Sequence, residues 1–339
     1  MIVDVHSHFF PERFLAALDR DGARAGAKME ARGPRERVVW SSPRQRAVIG
    51  PVFWDVGERL AAVERWGITV QALSLSPPML YWAPPDLGRA LAAVFNDEIA
   101  AIARAHPDRL LAFATLPLQD VPAAVAEAER AARNGCRALY VGTNVNGRYL
   151  DDPAFEPLWA CAVRLRLPVF THPLNNFGEE RMDGWHLGNS IGNPSETALA
   201  AARLVMAGVL DRHPNLDVVL AHGAGSLPFL LGRLDHTFAV RAEVKAALTR
   251  PPSTYLPRFY ADTITHGDRA LAFLVEAAGA GRVLLGTDQP YDMADERPAD
   301  RVGRLGLAPR DAQAILGGNA ARLLALPAGA GADAGAARR

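Results

Sequence analysis

The chain has 339 residues, 49% hydrophobic and 22% charged, the proportions of an ordinary globular protein long enough to bury a large core. Lys+Arg and Asp+Glu both number 37, so the formal net charge is zero, which argues against a nucleic-acid groove or a basic membrane-binding face. Two cysteines, Cys136 and Cys161, suggest neither a disulfide framework nor a CxxC metal site, and no apolar run reaches the roughly 18 residues of a membrane span. The start, Met1-Ile2-Val3-Asp4-Val5-His6, has no basic region or signal-peptide core, so a cytoplasmic location is expected.

Short apolar runs alternate with amphipathic helical stretches. Strands are expected at residues 2–5, 70–75, 110–115, 138–141, 169–171, 218–221, 259–262 and 283–286. Helices are expected at 55–66, 87–105, 121–134, 155–166, 195–210 and 268–278. Asp55 is a candidate N-cap, and Gly67 and Gly135 are stop signals. Eight strands in alternation with helices predict a (β/α)8 TIM barrel over residues 1–326. A doubly wound open sheet is the alternative, weakened by the lack of a GxGxxG after the first strand. Residues 20–54, after strand one, are polar, Arg-rich and punctuated by Gly and Pro. With residues 173–194 they read as excursions of the lid or disordered kind. The low-complexity tail 327–339 is expected to be disordered.

Nine histidines are present, and four of them stand at or just past predicted strand ends: His6 and His8, His172, and His222. Asp288 follows the eighth strand in the same way. In a barrel that is the face on which active sites are built. Two residues apart on an extended strand, His6 and His8 point to one side and could chelate a single cation. Imidazole and carboxylate suit zinc or a similar divalent ion. A lone His-x-His is as well explained by buried histidines bonded to carbonyls; it is the combination across strands that points to metal. His106 and His213, each before a proline at a helix end, suit the helix dipole instead. His186, His236 and His266 read as loop or surface residues, with His186 and His266 possible at a pocket rim.

Several motifs resemble the amidohydrolase superfamily, and within it the metal-dependent decarboxylase branch with the α-amino-β-carboxymuconate-ε-semialdehyde decarboxylases. They are Asp4-Val5-His6-Ser7-His8-Phe9-Phe10-Pro11, Trp54-Asp55, Gly67-Ile68-Thr69-Val70-Gln71-Ala72-Leu73-Ser74 and Thr115-Leu116-Pro117-Leu118-Gln119-Asp120. Thr171-His172-Pro173, Ala221-His222-Gly223-Ala224-Gly225 and Gly286-Thr287-Asp288 complete the set, which runs from Met1 to about Leu326. The resemblance implies a distorted barrel with one catalytic divalent metal, zinc first and manganese as the alternative. It further implies His6, His8, His172 and Asp288 as metal ligands, with water completing the shell, and His222 as the acid/base. Binuclear relatives bridge two metals with a lysine at the end of strand four. Here that strand ends Tyr140-Val141-Gly142-Thr143, and Lys28 and Lys245, the only lysines, lie far from it in sequence.

Arginine is the preferred clamp for a carboxylate. The resemblance implies one from the insertion, Arg46 or alternatively Arg44, and a second, Arg233, supplied across a homodimer interface. The sequence departs from the family at Leu174-Asn175-Asn176, Gly188-Asn189-Ser190-Ile191 and Gln289-Pro290-Tyr291-Asp292. An aromatic wall thus becomes more polar, and Asn189 and Tyr291 are read as substrate-facing. The expected activity is a metal-dependent, non-oxidative decarboxylation of a small unsaturated or aromatic carboxylate. A hydrolase or hydratase using the same centre is the enzymatic alternative, and a metal-binding scaffold the non-enzymatic one.

Overall fold

The computed structural model describes residues 1–42 and 45–327, with the backbone alone at 40–42 and 45–46. The strands in chain order are β1 Val3–Asp4, β2 Lys28–Ala31, β3 Arg37–Ser42, β4 Gln45–Ile49, β5 Val70–Leu73, β6 Leu110–Thr115 and β7 Ala138–Gly142. They continue with β8 Asn144–Val145, β9 Arg148–Tyr149, β10 Val169–His172, β11 Val218–Leu220, β12 Phe259–Asp262 and β13 Val283–Leu284. Eight of them form one parallel sheet in the order β1-β5-β6-β7-β10-β11-β12-β13. These are the eight expected strands, and nearly all their residues are buried, as parallel strands covered on both faces require.

The sheet is nearly closed into a barrel. Between its first and last strands the ladder gives way to single hydrogen bonds: Val5 N–H to Leu285 O at 3.0 Å, Asp288 N–H to His6 O at 2.8 Å and His8 N–H to Gln289 O at 2.8 Å. β1 and β13 are therefore shorter than the sequence suggests, because beyond them the backbone turns away from regular pairing to carry functional side chains. The barrel is thus the TIM-type fold expected, with helices around the sheet.

The helices include α1 Glu12–Asp21, α2 Val56–Arg65, α3 Pro85–Ala105, α4 Val121–Arg133, α5 Glu156–Leu165, α6 Asn193–Met206, α7 Val209–Arg212 and α8 Leu227–Val240. Asp55 does cap α2, accepting the Glu58 N–H at 2.8 Å, and Asp120 caps α4 in the same way. The helix expected over 195–210 is two helices: Gly208 takes a left-handed φ of +68° between α6 and α7.

The insertion departs from expectation. Instead of lid or disorder, α1 is followed by a three-stranded antiparallel sheet, β2-β3-β4. Phe14, Leu15, Leu18, Val38 and Ile49 are buried beneath it, so this segment has an apolar anchor and packs as part of the structure. Residues 173–194 contain short helical turns, including a five-residue π-helical stretch, Gly188–Gly192, that leads into α6. Of the tail expected to be disordered, 328–339 lies outside the described residues. Among the described residues no helix is long and apolar enough to cross a membrane.

The start of α6 and the loop after β11 touch at Gly225. Its φ is +59°, and an added Cβ would lie 2.0 Å from the Pro194 carbonyl oxygen. Gly225→Ala should therefore displace one of the two segments and lower stability by more than about 1 kcal/mol. The check is thermal unfolding: a melting temperature equal to that of the unchanged protein would mean the contact is dispensable.

Candidate metal centre

His6 leaves β1 with both ring nitrogens buried. Its Nδ1–H donates to Asp262 Oδ2 at 2.7 Å, and its Nε2 has no hydrogen-bond partner. His172 donates Nδ1–H to the Pro173 carbonyl at 2.9 Å, which leaves its Nε2 as the free lone pair. His8 Nε2 stands 2.9 Å and His6 Nε2 3.5 Å from Asp288 Oδ1, while His222 Nε2 is 3.7 Å from Asp288 Oδ2. The rings of His6, His8 and His172 lie edge to face with centroids 5.2–5.3 Å apart. Two donors held about 2.1 Å from one ion stand about 3.0–3.4 Å apart, so these spacings are close to those of a loaded site.

Five side chains expected to meet thus do meet: His6, His8, His172, His222 and Asp288 converge at the C-terminal end of the barrel. The tightest set, with ligand atoms all within 4.8 Å of one another, is His6, His172, His222 and Asp288. His8 joins through Asp288. The donor chemistry fits a divalent cation: neutral imidazole nitrogens aimed inward, one carboxylate, and a buried Nε2 with nothing else to bond.

The electrostatics agree. Burial pushes His8 down to about 4 and His172 well below the ordinary histidine value, which favours the neutral rings that a metal needs. Burial would also raise Asp288, but the hydrogen bond with His8 and the neighbouring imidazoles of His6 and His222 hold it well below the usual carboxylate range. For His6, burial works downward and is outweighed by the hydrogen bond and charge of Asp262, so its net shift is upward. Burial likewise raises Asp4 to about 6, against hydrogen bonds from Thr287, Gln71 and the His6 backbone.

The sequence reading took Asp262 only as a strand end. Fully buried, it accepts from the His6 ring and from the His222 N–H at 2.9 Å through Oδ2. Its Oδ1 accepts from the Gly223 N–H at 2.8 Å and the Ile264 N–H at 3.0 Å. His222, Gly223 and Ala224 all have left-handed φ, +53°, +61° and +63°. His222 and Ala224, which unlike Gly223 carry a Cβ, cost of order 1 kcal/mol or more each in this region unless the surroundings hold them. The Asp262 carboxylate is what holds this turn. The signal available was a carboxylate closing strand seven on the same face as the histidines.

Beneath the cluster lies a buried polar raft that the sequence reading also missed. Arg59, fully buried on α2, donates to the His8 carbonyl, to Gln71 Oε1 at 3.1 Å and to Gln289 Oε1 at 3.2 Å. Gln71 Nε2 donates in turn to Asp4 at 2.7 Å, and Asp4 accepts from the His6 and Thr287 N–H groups. The backbones at His6, His8 and Thr287 are thereby set in one network. Arg59 is part of a helix in sequence, and no periodicity shows that a charge there points into the core.

The expected substrate-facing residues fall on two sides. Asn189, with His266 and Met293, lines a small cavity of about 50 Å³ beside His222 and Asp288. Tyr291 packs against His8, ring centroids 5.2 Å apart, and its hydroxyl bonds the Ser76 hydroxyl. Arg233 is exposed on α8, the helix that follows the His222 turn. Arg46 stands in β4 opposite Trp40; its side chain, and all of Arg44, lie outside the described residues. His186 is an exposed loop residue, and His213 bonds Glu156 at 2.7 Å away from the centre.

Asp262→Asn should keep the fold but weaken metal retention about 10–100-fold, since it removes the charge behind His6. Titration against a competing chelator, with metal content read by elemental analysis, checks this; an unchanged affinity would make Asp262 a scaffold residue only.

The chain matches the family model described as Amidohydrolase over residues 3–326. It is 32% identical to a 2-amino-3-carboxymuconate-6-semialdehyde decarboxylase of Dictyostelium discoideum, over 96% of this chain and 91% of that one. It is 33% identical to a gamma-resorcylate decarboxylase of a Rhizobium species, over 79% of this chain and 86% of the other. A dihydroxybenzoic acid decarboxylase of a Polaromonas species, solved with manganese and the inhibitor 2-nitroresorcinol, superposes with a TM-score of 0.79. It is 25% identical, and the match covers 97% of this chain and 98% of that one. The chain belongs to the amidohydrolase family, in its branch of metal-dependent, non-oxidative decarboxylases.

Proposed function

We propose that the chain removes CO₂ from a small aromatic or unsaturated carboxylic acid at one divalent metal ion held by His6, His8, His172 and Asp288, with His222 as the acid/base. The observation that carries this is the convergence of five donors on one point, His6, His8, His172 and Asp288 buried and His222 half-buried, with His6 Nε2 left without a partner. Zinc is the ion first favoured by three imidazoles and one carboxylate; manganese, held by the Polaromonas relative, is the alternative. When bound, the ion supplies Lewis acidity, drawing electron density from substrate oxygens as the carboxylate departs. One ion is proposed, because the end of the fourth barrel strand, Tyr140-Val141-Gly142-Thr143, holds no lysine of the kind that bridges two metals in binuclear relatives.

The chain's own residues do the rest. His222 delivers a proton to the carbon that bears the carboxylate. The bond to CO₂ then breaks, its electron pair stays with that carbon, and solvent returns a proton to His222. Asn189 and Tyr291 bound the substrate on either side. Arg46, on the insertion, is proposed to hold the carboxylate. Cytoplasmic residence belongs to the same reading, and the free, buried Cys136 and Cys161 suit a reducing compartment.

A specific observation favours a second reading of His222. It belongs to the tightest donor set, so it could ligate the ion in place of His8. His222→Ala separates the two. The expected result is a fall in kcat of about 10²–10⁴-fold with one metal still bound per chain; loss of the metal would make His222 a ligand. The activity itself is tested by following CO₂ release from a panel of hydroxybenzoates and muconate-type acids. Metal-loaded protein that releases none, while hydrolysing or hydrating any of them, would overturn decarboxylation.

A homodimer sharing its active sites completes the proposal. Arg233 follows Phe229 by one helical turn on α8, and Phe229 is 85% exposed, a large apolar side chain that a partner's surface would cover. In the proposed dimer each Arg233 reaches the other subunit's substrate. Mixing His222→Ala with Arg233→Ala chains should restore activity, since exchange creates one site free of both changes. No recovery despite demonstrated subunit exchange would reject the shared site.

A further inference from the structure

A cavity of about 630 Å³ opens on the far side of Tyr291 from the histidines. The insertion supplies Val39, Ala47, Val48 and Phe53 to its wall. Phe14 and Leu18 of α1 and Val39 of β3 form part of its wall, facing Phe53 and the Met79–Trp82 turn that follows β5. Tyr291 is the partition: its ring centroid lies 5.2 Å from that of His8 on one side and 5.1 Å from that of Phe53 on the other. The two hydroxyls at the partition, Tyr291 and Ser76, bond each other and so demand nothing from an occupant. Among the described residues no Lys, Arg or His lines the cavity, and its one charged residue is Asp292.

We propose that this cavity is the subsite for an apolar arm of the substrate, so that the enzyme takes aromatic carboxylic acids bearing an alkyl or aryl substituent in preference to the bare ring. The inference rests on the decarboxylase reading for the position of the carboxylate. Asp292, the one charged residue among those described in the lining, disfavours the carboxylate end of the substrate there. Hydrocarbon is what such walls take up, and a cavity of about 150 Å³ already suffices for benzene. A bare ring seated at the histidines leaves the cavity, about 630 Å³ and lined largely by apolar side chains, unused. A substituent that passes Tyr291 buries its surface against Phe53 and Trp82. Val48, 52% exposed, stands at the mouth, so the arm enters from solvent without opening the core.

The test compares salicylate with its 3-, 4- and 5-butyl isomers by calorimetric titration of the full-length, metal-loaded protein. Burial of each methylene is worth up to about fourfold in affinity, so at least one isomer should bind ~10-fold or more tighter than salicylate. Val48→Trp should erase that advantage by filling the mouth, with folding checked by circular dichroism. Butylbenzene, needing no substitution, should raise the apparent Kd of the favoured isomer and leave that of salicylate unchanged. Equal affinity for salicylate and every butyl isomer would overturn the subsite, as would an advantage that survives saturating butylbenzene. Binding is read without turnover. Absence of CO₂ release would therefore strike the decarboxylase reading alone, while CO₂ release without a butyl preference would strike this inference alone.

Discussion

One carboxylate fixes the geometry on which the centre depends. Asp262 lies at the end of β12, fully buried, and besides the nearby Ile264 N–H it accepts from two separate chain segments. To the His6 ring it gives an orientation; to the turn at His222 and Gly223 it gives hydrogen bonds that stabilise three successive left-handed residues. The placement of an imidazole on strand one and of another after strand six is thus a single arrangement. A buried carboxylate is costly without such partners, and the partners are held in unfavourable conformations without it. Each makes the other tenable.

Much of this was legible in the sequence for a physical reason. Side chains at the C-terminal ends of parallel strands must face a common axis once the sheet closes, so strand ends bearing His6, His8, His172, His222 and Asp288 already specified a meeting point. The helices were legible where a cap or a glycine marked their ends, as at Asp55, Gly67 and Gly135. What stayed hidden was support. Arg59 occupies a helical position that by charge alone belongs in water; its burial follows from Gln71, Gln289 and the His8 carbonyl, all distant in sequence. The antiparallel sheet of the insertion was hidden for a related reason. Adjacent Val38 and Val39 are both buried, so the strand lacks the alternation that marks a one-faced sheet.

The insertion also changes how the site relates to its surroundings. The barrel supplies the donors, but part of the wall on the Tyr291 side comes from α1, β3 and β4. On the proposed reading, chemistry and selectivity are carried by different parts of the chain. The first is tied to strand ends that barrel closure holds in place; the second sits on a segment that packs against the barrel through a few apolar side chains such as Phe14, Leu18 and Ile49. Substitutions on the insertion can alter what is accepted without moving a donor.

The join between the first and last strands carries a mechanical consequence. There the ladder is reduced to scattered hydrogen bonds, and the same short stretches, His6–His8 on one side and Asp288 on the other, bear the donors. An ion gripped by these side chains would act as a rivet across the weakest lap of the cylinder. Holding the cofactor and keeping the barrel shut would then be one act, and a cylinder deprived of it would begin to open along that line rather than anywhere else on its circumference.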